Sequence, residues 1–229
     1  MKNITRYLVH HKLFFLRSET DRLLVVSMAF SILMVLARVA YTGSSLFLFL
    51  VWNLFLAWIP YQLTGWAIQR PDMIINKLKF IAFFICWIVF IPNAFYIITD
   101  LFHLGNYYAV PFWFDLAMIL SFAWNGILLG ILSVRQMEKM VEKQIQNKNE
   151  LYFIYPIMLL NALGIYIGRY LRFNSWDIIT NPFKLAGDIT DLLLHPLQYK
   201  YAWGMIICFS IFLTLAYCTI KKISKSIYL

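Results

Sequence analysis

Six apolar runs occupy most of this chain, and each is long enough to cross a bilayer as a helix. They cover residues 23–42, 45–66, 78–98, 112–134, 152–171 and 200–220. A helix rises 1.5 Å per residue, so about 20 residues traverse roughly 30 Å of hydrocarbon. Lipid offers the backbone no hydrogen-bond partner, which leaves helices and closed barrels as the spanning structures. The two-residue alternation of a barrel strand is absent. The chain therefore reads as an all-α, polytopic transmembrane helix bundle of about six spans. Composition agrees, because only 14% of the residues are charged, against about a quarter in a soluble domain.

Basic residues set the orientation. With the N-terminus placed in the cytoplasm, fifteen of the twenty lysines and arginines fall on the inner side. Cytoplasmic loops carry this excess in membrane proteins, so both termini are read as cytoplasmic. The same distribution accounts for the net charge of +9 and excludes nucleic acid as a partner. Membrane lipids are the expected partners, and no cofactor is called for.

Residues 1–22 place Ile4, Tyr7, Leu8, His11, Phe14 and Phe15 on one face, with basic residues around it. That pattern predicts an amphipathic helix on the inner membrane surface. The first apolar run is a retained span, because a signal cleavage after Ala40 would place Arg38 where a small residue is required. Residues 23–220 form a single transmembrane domain, and 221–229 a basic cytoplasmic tail. Past Val134, the pairs Arg135/Glu138 and Lys139/Glu142 stand at i,i+3 and read as a solvated helix end. The outer loop, 173–199, is the longest connection. Ser175 is placed to cap a short helix beginning at Trp176, and Asn181-Pro182 to open another through Leu194, stopped by Pro196. This loop is expected to lie on the outer surface as a lid. Cys86, Cys208 and Cys218 lie in apolar runs and have no metal-ligand spacing.

The informative residues are polar ones at membrane depth. Arg38 lies in the outer half of the first span, where a centred arginine costs about 2.5–3.5 kcal/mol unless it is paired or snorkels. Asn53, Asn93, Asn125 and Asn161 sit within spans two to five and must find partners inside the bundle. Pro92 kinks the third span, beyond which Asp100 and His103 share a face at i,i+3. Asp115 begins the fourth span, and Arg169, Arg172, Asn174 and Asp177 close the fifth. By depth, three arginines, three aspartates and a histidine reach the outer leaflet. One reading is a structural ion-pair cluster. The functional reading is an outer pocket, with Asp100, His103, Asp115 and Asp177 as acid–base candidates and Arg38, Asn93, Arg169, Arg172 and Asn174 as substrate-binding candidates. The spacing matches no metal motif, and His195 reads as an interfacial residue. Two small-residue pairs, Gly126/Gly130 and Gly164/Gly168, permit close helix approach.

Two polar strings set in apolar surroundings carry a resemblance. They run from Phe90 through Pro92, Asn93, Asp100 and His103 to Leu104, and from Gly168 through Arg169, Arg172, Asn174 and Ser175 to Asp177. Together they resemble a bacterial multi-pass membrane family catalogued as domain of unknown function 1361. Phe95 stands where that pattern carries a second proline. The resemblance extends over nearly the whole chain. It implies a protein of the bacterial cytoplasmic (inner) membrane with no established activity, and it assigns no catalytic residues. Three function classes stay open: an enzyme or binder acting on a lipid or lipid-linked anionic substrate, a small-molecule transporter, and an accessory subunit whose charges are structural.

Overall fold

A computed structural model describes residues 19–105, 109–144 and 151–226. The expected amphipathic segment lies outside the described residues, apart from the last few positions before residue 23. Among the described residues there are ten α-helices and no strand. They are α1 (Glu19–Thr42), α2 (Phe49–Ile68), α3 (Pro71–Ile75), α4 (Lys77–Phe90), α5 (Pro92–Tyr96), α6 (Phe112–Gln144), α7 (Leu151–Tyr166), α8 (Asp177–Thr180), α9 (Pro182–Leu194) and α10 (Lys200–Ser226). A 3-10 helix, Ile97–His103, continues α5, and a π-helical turn, Ile167–Leu171, continues α7.

Five of these segments are long and apolar enough to cross a membrane: Glu19–Thr42, Lys77–His103, Phe112–Glu142, Leu151–Leu171 and Lys200–Ser224. The second apolar run forms α2, whose 20 residues reach about 30 Å. Asn53, Pro60, Gln62 and Thr64 dilute its hydropathy, which is why it falls outside that set. Leu23, Val26, Leu33, Ile81 and Leu215 are more than half exposed. Large apolar side chains facing outward in this number suit a lipid surround rather than water.

The longest helix, α6, is the axis of the fold. It packs on α1, α2, α5 and the 3-10 segment, while α7 packs on α5 and α10. Apolar side chains fill this centre, including Trp87, Phe95, Ile119, Phe122 and Leu129, all fully buried. A polar knot ties three helices within it. Ser133 receives the Trp87 indole N–H at 2.9 Å and donates to the Pro60 carbonyl at 2.9 Å.

The short α5 is held by glycines on both sides. A Cβ on Gly126 would stand 2.5 Å from the Ala94 carbonyl oxygen, and one on Gly130 2.6 Å from the Phe95 ring. Across the bundle, a Cβ on Gly164 would stand 2.6 Å from Pro92, and one on Gly168 3.2 Å from the Tyr96 ring. Both glycine pairs thus serve packing within the chain. Phe95 is fully buried against Gly130, so the aromatic ring fills the space that the glycine opens.

The outer loop folds largely as expected. α9 begins at Pro182 and ends at Leu194. α8 begins at Asp177, one residue later than expected, and the Ser175 side chain is not its cap. The Ser175 hydroxyl instead donates to the Val89 carbonyl at 3.2 Å, tying the loop to the third span.

Candidate functional site

The helix breaks at Pro92 because proline has no N–H and its ring crowds the preceding turn. Ala94 then donates its N–H to the Ile91 carbonyl at 3.1 Å, which frees the Phe90 carbonyl. The Asn93 side-chain amide fills that vacancy, donating to Phe90 at 2.9 Å and to the Ser175 hydroxyl at 2.9 Å. The kink therefore carries its own repair, and the repair docks the outer loop.

Beside the kink lies a cavity of about 340 Å³, between α2, α5, α7 and the outer loop. Its polar lining is Asn53, Asn93, Tyr96, Asn174 and Ser175. Ile178, Leu185 and Ile189 reach it from α8 and α9. The remaining wall is apolar, with Leu56, Ile88 and Leu163 among its residues.

The charged groups separate into two sets. Asp100 is fully buried on the 3-10 segment. One of its oxygens accepts from the Asn53 amide at 2.9 Å, and the other lies 3.4 Å from Arg169 Nη1. Arg169 also donates to the Thr99 carbonyl and, at 3.3 Å, to the Tyr96 hydroxyl. Its guanidinium lies over the Tyr96 and Phe102 rings. Arg169 and Asp100 thus stand behind two lining residues, Tyr96 and Asn53, and fix their orientation.

The second set is Arg38 with Asp115. Arg38 Nε meets one Asp115 oxygen at 2.7 Å and Nη2 meets the other at 3.2 Å. Two parallel N–H···O bonds are the strongest geometry for such a pair. Both residues are buried, and the guanidinium lies 4.3 Å from the centre of the Phe47 ring. This pair joins α1 to α6, and neither residue lines the cavity.

The other candidates stand apart from both sets. His103 packs its ring edge-on to Phe49 with centroids 5.2 Å apart, while the Asp100 oxygens are held by Asn53 and Arg169. Asp177 accepts from the Asn174 backbone N–H at 2.6 Å and from the Thr180 hydroxyl at 2.8 Å. These bonds, the Asn174 one foremost, hold its carboxyl below the ordinary carboxylate range. It closes the turn that places Asn174 at the cavity. Arg172 is exposed, in the left-handed conformation at φ 60°, and makes no ion pair among the described residues. Among those residues, no three His, Cys, Asp or Glu side chains gather as a metal-binding group.

Of the four asparagines at membrane depth, Asn53 and Asn93 belong to the cavity. Asn125 bridges to Ser31 on α1 at 2.9 Å. Asn161 donates to Ile157 of its own helix at 2.8 Å, so it is not the interhelical link that its depth suggested.

A buried charged group that the sequence reading did not find lies at the far end of α6. Glu138 is 2% exposed. It accepts from Lys221 at 2.8 Å, from the Tyr217 hydroxyl at 2.5 Å and from Arg135. The expected solvated helix end is therefore a buried junction between α6 and α10. The available signal was the i,i+4 pair Tyr217/Lys221, which places both partners on one face of α10.

These features define a multi-pass helical membrane protein with a partly polar cavity beside a proline break. The chain belongs to the family described as protein of unknown function DUF1361, which it matches over residues 52–216. That stretch contains the cavity, the glycine clasp and the three buried ion pairs except for Arg38 and Lys221. Among curated proteins and among solved structures, nothing matches it.

Proposed function

We propose that this protein binds an amphiphile, a lipid or lipid-linked molecule, taken from the outer leaflet of the bacterial cytoplasmic membrane. The observation that carries this reading is the cavity itself. It has apolar walls for a chain and a polar end built by Asn53, Asn93 and Tyr96. Its volume of about 340 Å³ falls at the lower end of the range for small-molecule pockets. An anionic group of the amphiphile belongs at the rim. There Arg172 is exposed, and Lys184 stands over the ring of the lining residue Phe173. Neither makes an ion pair among the described residues. Binding is favoured over conversion, because Asp100 is committed to Asn53 and Arg169 and His103 to Phe49.

Native mass spectrometry of the protein released from mild detergent tests this reading. The wild type is expected to retain a lipid-sized mass. Leu163→Trp fills the apolar wall without touching any polar partner, and should lose that mass. Its melting temperature should move by no more than about 4 °C, the shift that roughly 1 kcal/mol gives a chain of this size. A wild type that retains nothing, or a variant that retains the same mass, would overturn the proposal.

A further inference from the structure

The polar end of the cavity has a definite hydrogen-bonding sense. An asparagine amide offers two donors on nitrogen and an acceptor on oxygen. Its orientation is settled wherever a neighbour is able only to accept. The Asn53 nitrogen donates to one oxygen of Asp100, whose other oxygen faces Arg169. Asn93 faces the Phe90 carbonyl, so its nitrogen must point there as well. Ser175 gives its one proton to the Val89 carbonyl and therefore accepts from Asn93. The carbonyl oxygens of Asn53 and Asn93 are left over. Among the described residues neither accepts a hydrogen bond, and neither is sealed from the cavity as the amide oxygens of Asn125 and Asn161 are. The Tyr96 hydroxyl accepts from Arg169 and keeps its own proton to donate.

We infer that the polar end of the cavity takes an uncharged, hydroxyl-bearing headgroup, such as a sugar or glycerol. This inference rests on the amphiphile reading above. Two amide oxygens without donors repel a phosphate or carboxylate and attract O–H groups. A hydroxyl both donates and accepts. It satisfies the amide oxygens and takes the Tyr96 proton, which an ammonium group is unable to do. An anionic group stays at the rim with Arg172 and Lys184, outside this compartment.

The test uses the full-length protein in phosphatidylcholine nanodiscs. Three probes are added below their micelle concentrations: octyl glucoside, its tetra-O-methyl ether and octyl phosphate. Affinities are read by ligand-observed NMR. Octyl glucoside should bind wild type about tenfold more tightly than the methylated ether, the change expected when two ordinary hydrogen bonds lose their donors. That comparison needs no variant. Asn93→Leu removes one of the two amide oxygens and should reduce the tenfold preference to about threefold. Equal binding of the glucoside and its ether to wild type would overturn the inference while the cavity reading stands. So would an Asn93→Leu variant that keeps the full tenfold preference. If none of the three probes binds, the amphiphile reading fails and this inference with it.

Discussion

Arg38 and Asp115 show what a single buried pair contributes. Each oxygen of Asp115 receives one N–H from the guanidinium. Asp115→Ala leaves the arginine charged in a place with no water to solvate it. Breaking a buried pair from one side costs about 3–5 kcal/mol, and thermal unfolding in detergent should show that loss. Replacing both partners by apolar residues of similar size removes the stranded charge as well. The double variant Arg38→Met/Asp115→Leu is therefore expected to regain most of the stability lost by Asp115→Ala. If the double variant is as unstable as the sum of its singles, the pair is not the closed unit described here. That these two residues sit at one depth was legible in the sequence, because their distance from the span ends fixes it. Which opposite charge each arginine meets was not. Depth is a property of one helix, whereas pairing depends on which helices are neighbours and how each is rotated. Seven groups expected at one level thus became two separate ion pairs, with His103 and Asp177 turned to other partners and Arg172 exposed.

At the scale of elements, the glycines divide by what surrounds them. Gly126, Gly130, Gly164 and Gly168 clasp α5, and three of them leave less than 3 Å for a Cβ. Gly187 on α9 and Gly204 on α10 have nothing within 4 Å of that position. Gly126→Ala drives a methyl group into the Ala94 carbonyl, a backbone atom that is unable to swing away. Overpacking of this kind typically costs about 1–3 kcal/mol. Gly187→Ala and Gly204→Ala remove chain freedom from the unfolded state without a clash, and should stabilise by about 0.4–1 kcal/mol. Melting temperatures of the three variants in one detergent read the contrast, and opposite signs are the expected result. Spacing alone marked Gly126/Gly130 and Gly164/Gly168 as packing motifs. It did not show that both close on the same five-residue helix, because that helix exists only through the break at Pro92. The Glu138 junction was hidden for a similar reason. On its own helix Glu138 sits among charges, and its burial arises from Tyr217 and Lys221, which arrive from α10.

For the whole molecule, the open quantity is how α2 lies in the bilayer. The five more apolar helices alone would put the termini on opposite sides of a membrane. Counting α2 as a sixth span puts them on the same side. Its length suits a span, and its polar residues are largely paired inward. Asn53 meets Asp100, while Thr64 donates to Gln136 at 2.6 Å and contacts Ser133 at 3.3 Å. Such inward pairing lowers the cost of carrying polar groups through lipid. The lysine and arginine bias independently predicts both ends inside. Single cysteines introduced after removal of Cys86, Cys208 and Cys218, and probed on intact cells with a membrane-impermeant maleimide, decide the matter. Gly43→Cys and Ile179→Cys are expected to label from outside. Asp72→Cys and Lys222→Cys should label only after the membrane is opened. Gly43 and Asp72 flank α2, so this pair isolates its contribution. If both label from the same side, α2 does not cross, and α8 and α9 need not face outward. Labelling on opposite sides makes α2 a span, and labelling of Ile179 from outside places the cavity in the outer leaflet, where an amphiphile enters without crossing the membrane.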